Sequence, residues 1–274
     1  MKLLETIANK KVSMAYLQEY ELRAKKKFGQ NFIIDPSVVR KIASLSHGGD
    51  TVVEIGPGLG ALTQQLALMY KQVIAYEIDP HMVEVLSSSL SELDNVEVVL
   101  QDFMKADLSR FKGQKVSVCA NLPYYITTPL LFKLMELDVY GMTLMVQKEI
   151  GERLAAKPNT REYSALTIQI QYYFDVKTVM NVSKESFHPR PNVDSIVVSL
   201  TPKAVEMPYD EKAFFAFVKA CFQFRRKTLT NNLKTLNLDV DYHAVLTSCG
   251  IDEKVRADML SYDDYIKLYG VLYA

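Results

Sequence analysis

Apolar residues in this chain gather in two alternating patterns. Residues 51–55, 72–76, 96–100, 116–120 and 142–147 are brief, nearly continuous hydrophobic runs, and each reads as a buried strand. Between them the apolar positions spread to helical spacing, as in residues 61–70 and 148–156. Asp35-Pro36 opens another helix, to about residue 45, with a capping carboxylate before a proline suited to the first helical position. Strands and helices in alternation predict a mainly parallel, doubly wound α/β sheet. Residues 1–22 read as helical, with Leu3, Leu4, Ile7, Tyr16, Leu17 and Tyr20 apolar. Residues 165–174 and 195–200 read as further strands, the second rich in Val and Ile. Pro202 and Pro208 bracket a linker, after which residues 214–224 and short segments from 236 onwards read as helical, with a break at Gly250 and Asp252. The expected organisation is a sheet domain over 1–202 and a small helical domain over 203–274.

Ligands bind such sheets at the C-terminal ends of the strands, so the residues just past each predicted strand carry the chemistry. The first strand runs into Gly56-Pro57-Gly58-Leu59-Gly60, where glycines allow close backbone approach and amides sit at a helix start. The second ends in Glu77-Ile78-Asp79-Pro80. Glu77 lies about 20 residues past the glycine turn, where an acid can accept both hydroxyls of a ribose. Its plainer role is a helix N-cap, which Asp79 before Pro80 fills better. The third ends in Gln101-Asp102-Phe103. Asp102 either accepts an adenine amine, with Phe103 flanking the ring, or simply forms a turn. The fourth runs into Asn121-Leu122-Pro123-Tyr124, ahead of Thr127-Thr128-Pro129. One reading is a loop closed by proline and capped by threonine. The other is a grip on a planar base that carries an amine: carbonyl oxygens accept its N–H groups and the ring stacks on its face. The proline disfavours helix at Leu122 and stiffens the turn.

A chain of 274 residues, 49% hydrophobic and 23% charged, suits a globular protein with one large domain and a small one. Lys+Arg and Asp+Glu balance at 32 each, so a nucleic-acid surface has to come from local clustering. Two basic clusters exist: Lys25, Lys26 and Lys27, and Arg225, Arg226 and Lys227 in an acid-free stretch, 219–234. Either alone is an ordinary solvated face; together, on a neutral chain, they favour phosphate contacts. Cys119, Cys221 and Cys249 lack metal-ligand spacing, so no metal is expected and a reducing cytoplasm fits. No signal peptide and no run of membrane-spanning length is visible. His188, in Phe187-His188-Pro189-Arg190-Pro191, has no visible triad partner and reads as a loop residue; the prolines stiffen the loop and hold Phe187.

The glycine turn also fits the G-x-G-x-x-A form of nicotinamide enzymes. Three features favour S-adenosylmethionine instead. Asp102 adds an adenine-side acceptor, Gln30-Asn31-Phe32 can close over a methionine tail, and residues 121–124 offer an amine grip rather than hydride-transfer machinery. Helix N-termini favour anionic pyrophosphate, whereas Glu54, at the end of the first strand, suits a sulfonium cation. Glu54 reads equally as a satisfied buried polar residue.

Asn121-Leu122-Pro123-Tyr124 resembles the Asn/Asp-Pro-Pro-Tyr-type motif of amino-methyltransferases. Taken with Phe28-Gly29-Gln30-Asn31-Phe32, Glu54-Ile55-Gly56-Pro57-Gly58-Leu59-Gly60, Gln147-Lys148-Glu149, Phe187 with Pro189 and Pro191, and Arg225-Arg226-Lys227-Thr228-Leu229, it makes the chain similar, over essentially its whole length, to the bacterial small-subunit (16S) rRNA adenine dimethyltransferases, the kasugamycin-sensitivity family. The resemblance implies a class I, Rossmann-like methyltransferase fold with a small helical C-terminal domain that binds RNA. It implies that Asn31, Ile33, Gly56, Glu77, Asp102 and Asn121 contact S-adenosylmethionine, to which the strand-end reading adds Gly58, Ile78 and Phe103. It implies N6,N6-dimethylation of two adjacent adenosines in a hairpin loop near the 3′ end of 16S rRNA, with a role in subunit biogenesis. The expected catalytic set is Asn121, Leu122, Pro123, Tyr124 and Phe187, with the adenine between the rings of Tyr124 and Phe187. A cytoplasmic monomer without membrane contact is expected. Tyr125-Ile126-Thr127-Thr128-Pro129 departs from the common Asn-Ile-Ser-Thr-Pro. The rival readings are a 23S rRNA adenine methyltransferase, an assembly factor acting mainly by binding and, more distantly, an NAD-dependent oxidoreductase.

Overall fold

A computed structural model describes residues 6–21, 30–204 and 206–273. The chain forms α1 (Lys10–Glu19), β1 (Phe32–Ile33), α2 (Pro36–Ser44), β2 (Thr51–Ile55), α3 (Ala61–Ala67), β3 (Gln72–Glu77), α4 (Pro80–Ser89), β4 (Val96–Leu100), β5 (Val116–Asn121) and α5 (Thr127–Leu134). It continues through β6 (Val139–Gln147), α6 (Lys148–Leu154), α7 (Ala165–Tyr173), β7 (Phe174–Val182), β8 (Phe187–His188) and β9 (Ser195–Pro202). Helices α8 (Glu211–Cys221), α9 (Leu229–Leu233), α10 (Tyr242–Cys249) and α11 (Tyr262–Tyr273) follow.

Seven strands make one sheet in the order β4-β3-β2-β5-β6-β9-β7. The ladders from β4 to β6 are parallel, and β9 runs antiparallel to β6. Parallel strands covered on both faces need unbroken apolar runs, and every residue of β2 is buried. The chain winds outward from β2 through β3 to β4, then returns to place β5 on the other side of β2. That reversal is a topological switch point, where the loops after two neighbouring strands diverge and open a crevice.

The helix starts follow the local chemistry. Asp35 caps α2 by accepting the Ser37 amide at 2.9 Å, and Asp79 caps α4 by accepting that of His81 at 3.2 Å. Gly60, at φ 87°, begins α3; a Cβ there would come within 3.0 Å of Leu90. Ahead of α1, Ile7 is buried and its amide donates to Gln64 Oε1 at 3.1 Å, so the N-terminal segment docks on α3.

The chain divides into two compact units, 1–151 with 177–202 and 152–176 with 203–274. This differs from a single cut at 202, because α7 belongs with the helical unit: Ile168 packs in one core with Phe214, Phe217, Leu229, Leu246 and Leu268. The expected strand over 165–174 is corrected to helix. Ile168, Ile170 and Tyr172 alternate with glutamines and mimic a strand. The N-terminus is decided by a capping box in which the Ser164 hydroxyl accepts the Thr167 amide at 3.4 Å and the Thr167 hydroxyl accepts the Ser164 amide at 3.1 Å. The strand that exists, β7, starts only at Phe174.

Candidate active site

The C-terminal ends of β2, β3, β4 and β5 border an open cleft of about 780 Å³, its solvent-filled mouth included. A second cavity of about 350 Å³ shares Asn31, Gly56, Gly58 and Asn121 with it and adds Ile33 and Glu54. Glu77, Ile78, Asp102, Phe103, Leu122, Pro123 and Tyr124 border the larger space. The structure thus gathers every expected cofactor residue and four of the five expected catalytic ones. Phe187 is the exception. β8 pairs with β1, setting Phe187 opposite Ile33, which borders the second cavity. Its ring, 3% exposed, packs in the apolar core with Met145, Val182 and Val197, and Phe187 is not among the residues bordering the larger cleft. Lys25, Lys26 and Lys27 lie outside the described residues.

Glu77 is held as an acceptor. Its Oε1 takes the amides of Ile78 and Asp79, both at 2.9 Å. Burial raises its carboxyl above the usual range, against the pull of the Asp79, Ile78 and Gly58 amides. Asp102 does form the expected turn, accepting the Met104 amide at 3.0 Å, and also borders the cleft. Phe103 is steadied by an edge contact with Tyr76 at 5.1 Å. Glu54, 1% exposed, has an Oε2 without a partner, and burial pushes its carboxyl up to about 8. Glu54 is thus at most half satisfied: the Thr63 hydroxyl acts on the carboxyl, and Oε2 is left without a partner. Asn121 Oδ1 is buried with no hydrogen bond, at the end of the strand beside the switch point. A buried carbonyl oxygen left unpaired is costly, and it marks a place where a ligand supplies the donor.

Two residues of this site were missed in the sequence. The Tyr124 hydroxyl lies 2.6 Å from Ser195 Oγ. Nothing local signals that pairing; the antiparallel register of Gln147 with Ser195 creates it. Tyr125, 52% exposed, borders the cleft, and its phenol is raised by burial and by the charges of Asp102 and Glu77. Ser195→Ala should free the Tyr124 ring and lower the methyl-transfer rate about 3- to 10-fold, matching one lost hydrogen bond. Cofactor affinity, read by calorimetry, should stay unchanged.

The donors and acceptors fit S-adenosylmethionine. Glu77 suits a ribose, Asp102 an adenine amine, and the unpartnered oxygen of Glu54 a cation. Gly58, at φ 57°, brings backbone close: a Cβ there would meet the Phe32 ring at 3.2 Å. The sequence profile of the ribosomal RNA adenine dimethylase family matches residues 21–273. The chain belongs to this family. Relatives named ribosomal RNA small subunit methyltransferase A, from Bacillus cytotoxicus and Bacillus mycoides, are each 44% identical to the dimethylase over 98% of both chains. A dimethyladenosine transferase structure from Plasmodium falciparum is 34% identical, with TM-score 0.72 over 86% of this chain and 95% of that one. The 23S rRNA methyltransferase ErmE is 25% identical, with TM-score 0.68 over 89% and 100%. The dimethylase is an rRNA adenine methyltransferase of class I fold that uses S-adenosylmethionine.

Proposed function

We propose that this dimethylase places two methyl groups on N6 of each of two adjacent adenosines, in the hairpin loop near the 3′ end of 16S rRNA in the small ribosomal subunit. The higher identity to relatives with a small-subunit name, 44% against 25% for the 23S enzyme, supports that target. The observation that carries the chemistry is the unpartnered amide oxygen of Asn121 in the cleft wall.

The exocyclic nitrogen of adenine is a poor nucleophile, because its lone pair is delocalised into the ring. Asn121 Oδ1 and the Leu122 carbonyl would accept its two hydrogens, drawing the nitrogen towards tetrahedral geometry and aiming its lone pair. S-adenosylmethionine, when bound, supplies an electrophilic methyl on a sulfonium. Tyr124, pinned by Ser195, would stack on the base, extruded from its loop at modest cost; such stacking contributes roughly 1–3 kcal/mol. With Phe187 in the core, this account rests on one ring rather than a sandwich. Orientation and electrostatic fit do the work without a formal base, and the proton leaves to water. For the second methylation Asn121 keeps the remaining N–H, and the first methyl sits on the Leu122 side.

The RNA surface is proposed on the helical unit. Arg225, Arg226 and Lys227 are exposed, in the turn between α8 and α9 rather than on a helix face. Asn232, 1% exposed, fixes that turn: it accepts the Phe224 amide at 2.7 Å and donates to the Phe224 and Thr228 carbonyls at 3.3 Å. Nearby, Arg153, Lys219 and Arg225 border an acid-free groove of about 1310 Å³. Replacing Arg225, Arg226 and Lys227 with alanine should weaken subunit binding and reduce its log–log salt slope by about two, at about 0.7 per lost phosphate contact. An unchanged slope would remove this turn from the interface.

The dimethylase is further proposed to act as a cytoplasmic monomer; no helix among the described residues is long and apolar enough to cross a membrane. The deciding experiment transfers labelled methyl groups from S-adenosylmethionine to purified small subunits lacking the modification. Nucleoside analysis should find dimethyladenosine. Transfer to large subunits alone would sink the proposal.

A further inference from the structure

Glu54 lies next to the end of β2, almost wholly buried, with Oε2 unpartnered. Among the described residues, the groups that act on it are Glu77 from β3, Cys119 from β5 and the Thr63 hydroxyl from α3; none is a cation. The cavity it borders, with Asn31, Gly56 and Gly58, has one other unpartnered buried atom on its wall, Asn121 Oδ1, which is also an acceptor. A carboxylate anion without a counter-charge does not persist in such a place; it takes up a proton. A ligand entering here has to bring hydrogen-bond donors and positive charge. A ribose brings hydroxyls without charge, and an adenine brings an amine without charge. The amino-acid end of the cofactor brings an ammonium. Asn121 is committed to the substrate amine in the mechanism above, which leaves Glu54 to meet the cofactor.

We propose that Glu54 is protonated in the cofactor-free dimethylase and releases its proton to solvent when the α-ammonium of the cofactor enters, so that loading exchanges a proton for a cation. The inference rests on the reading that the cavity beside Gly56 and Gly58 receives the amino-acid end. The direction agrees with burial and the nearby Glu77 charge, which together push the Glu54 carboxyl up to about 8. Because the ammonium survives methyl transfer, the product holds Glu54 ionised until it leaves, and the proton returns only then.

Titration calorimetry at about pH 7, in buffers of different ionisation enthalpy, counts the protons. S-adenosylmethionine and S-adenosylhomocysteine should each release close to one proton more from the wild type than from Glu54→Gln. The amino group of the ligand itself titrates near 8, and the difference between proteins cancels it. The affinity advantage of wild type over variant should grow about tenfold per pH unit between about 6 and 7. Equal proton counts overturn the exchange, and a difference confined to S-adenosylmethionine overturns the assignment to the ammonium. If the wild type binds neither ligand, the cofactor reading itself fails and the exchange falls with it. Should Glu54→Gln not fold, infrared difference spectra of the wild type decide. The carbonyl band of a neutral carboxylic acid should vanish on adding S-adenosylhomocysteine, and its persistence overturns the proposal.

Discussion

Asn121→Ala should lower the rate of methyl transfer by about 10²- to 10³-fold, the loss typical of removing one preorganised polar contact from a transition state. The cost should fall on the chemical step, because the proposed contact strengthens as the amine pyramidalises. The same change should cost little stability. In the free protein Asn121 Oδ1 is buried and bonds to nothing, so alanine removes an unsatisfied acceptor, a relief of about 1–3 kcal/mol set against some lost packing. A melting temperature near or above that of the wild type, with a collapsed single-turnover rate on small subunits, is the expected pair of results. Near wild-type turnover would end the amine-grip mechanism.

Glu77→Ala should weaken S-adenosylmethionine binding by at least about a hundredfold. The proposed ribose role asks one carboxylate to accept two hydroxyls, and hydrogen bonds to charged groups contribute about 1.5–3 kcal/mol each. Part of the loss is structural, since the Ile78 and Asp79 amides also lose their acceptor. Glu77→Gln keeps a carbonyl for those amides and should fall between wild type and alanine. Binding needs the carboxylate form. The Glu77 contribution to affinity should therefore be full above the raised Glu77 pKa and be lost as pH drops through it. Calorimetry on the three proteins measures all of this, and an alanine variant within threefold of wild type would remove Glu77 from the ribose site.

The sheet was legible because its parallel strands, the edge strand β4 apart, are largely buried. Such strands read as unbroken apolar runs, and β2 to β6 appeared near their true bounds. Helix α7 was not legible, because its glutamines alternate with Ile168, Ile170 and Tyr172 as in a strand; hydrogen bonds at Ser164 and packing against α8 made it helical. The same blindness hid the domain boundary. Residues 152–176 join the helical unit through core contacts made across the sequence, and no composition change marks them.

Site residues divide along the same line. Glycine turn, acids and amide at the strand ends could be named in advance, because a parallel sheet directs successive strand ends to one edge whatever its details. Phe187 could not be placed, since a two-residue ladder with β1 sets where its ring goes. Nor could the bond between Tyr124 and Ser195, which needs β9 beside β6. The isolation of Glu54 from any described cation likewise depends on what β3, β5 and α3 bring around it. The amino-acid order by itself determined which chemical groups reach the cleft edge. Only the tertiary structure decided which of them meet, which face the core and which are left unpaired, because those outcomes depend on contacts between residues far apart in the chain.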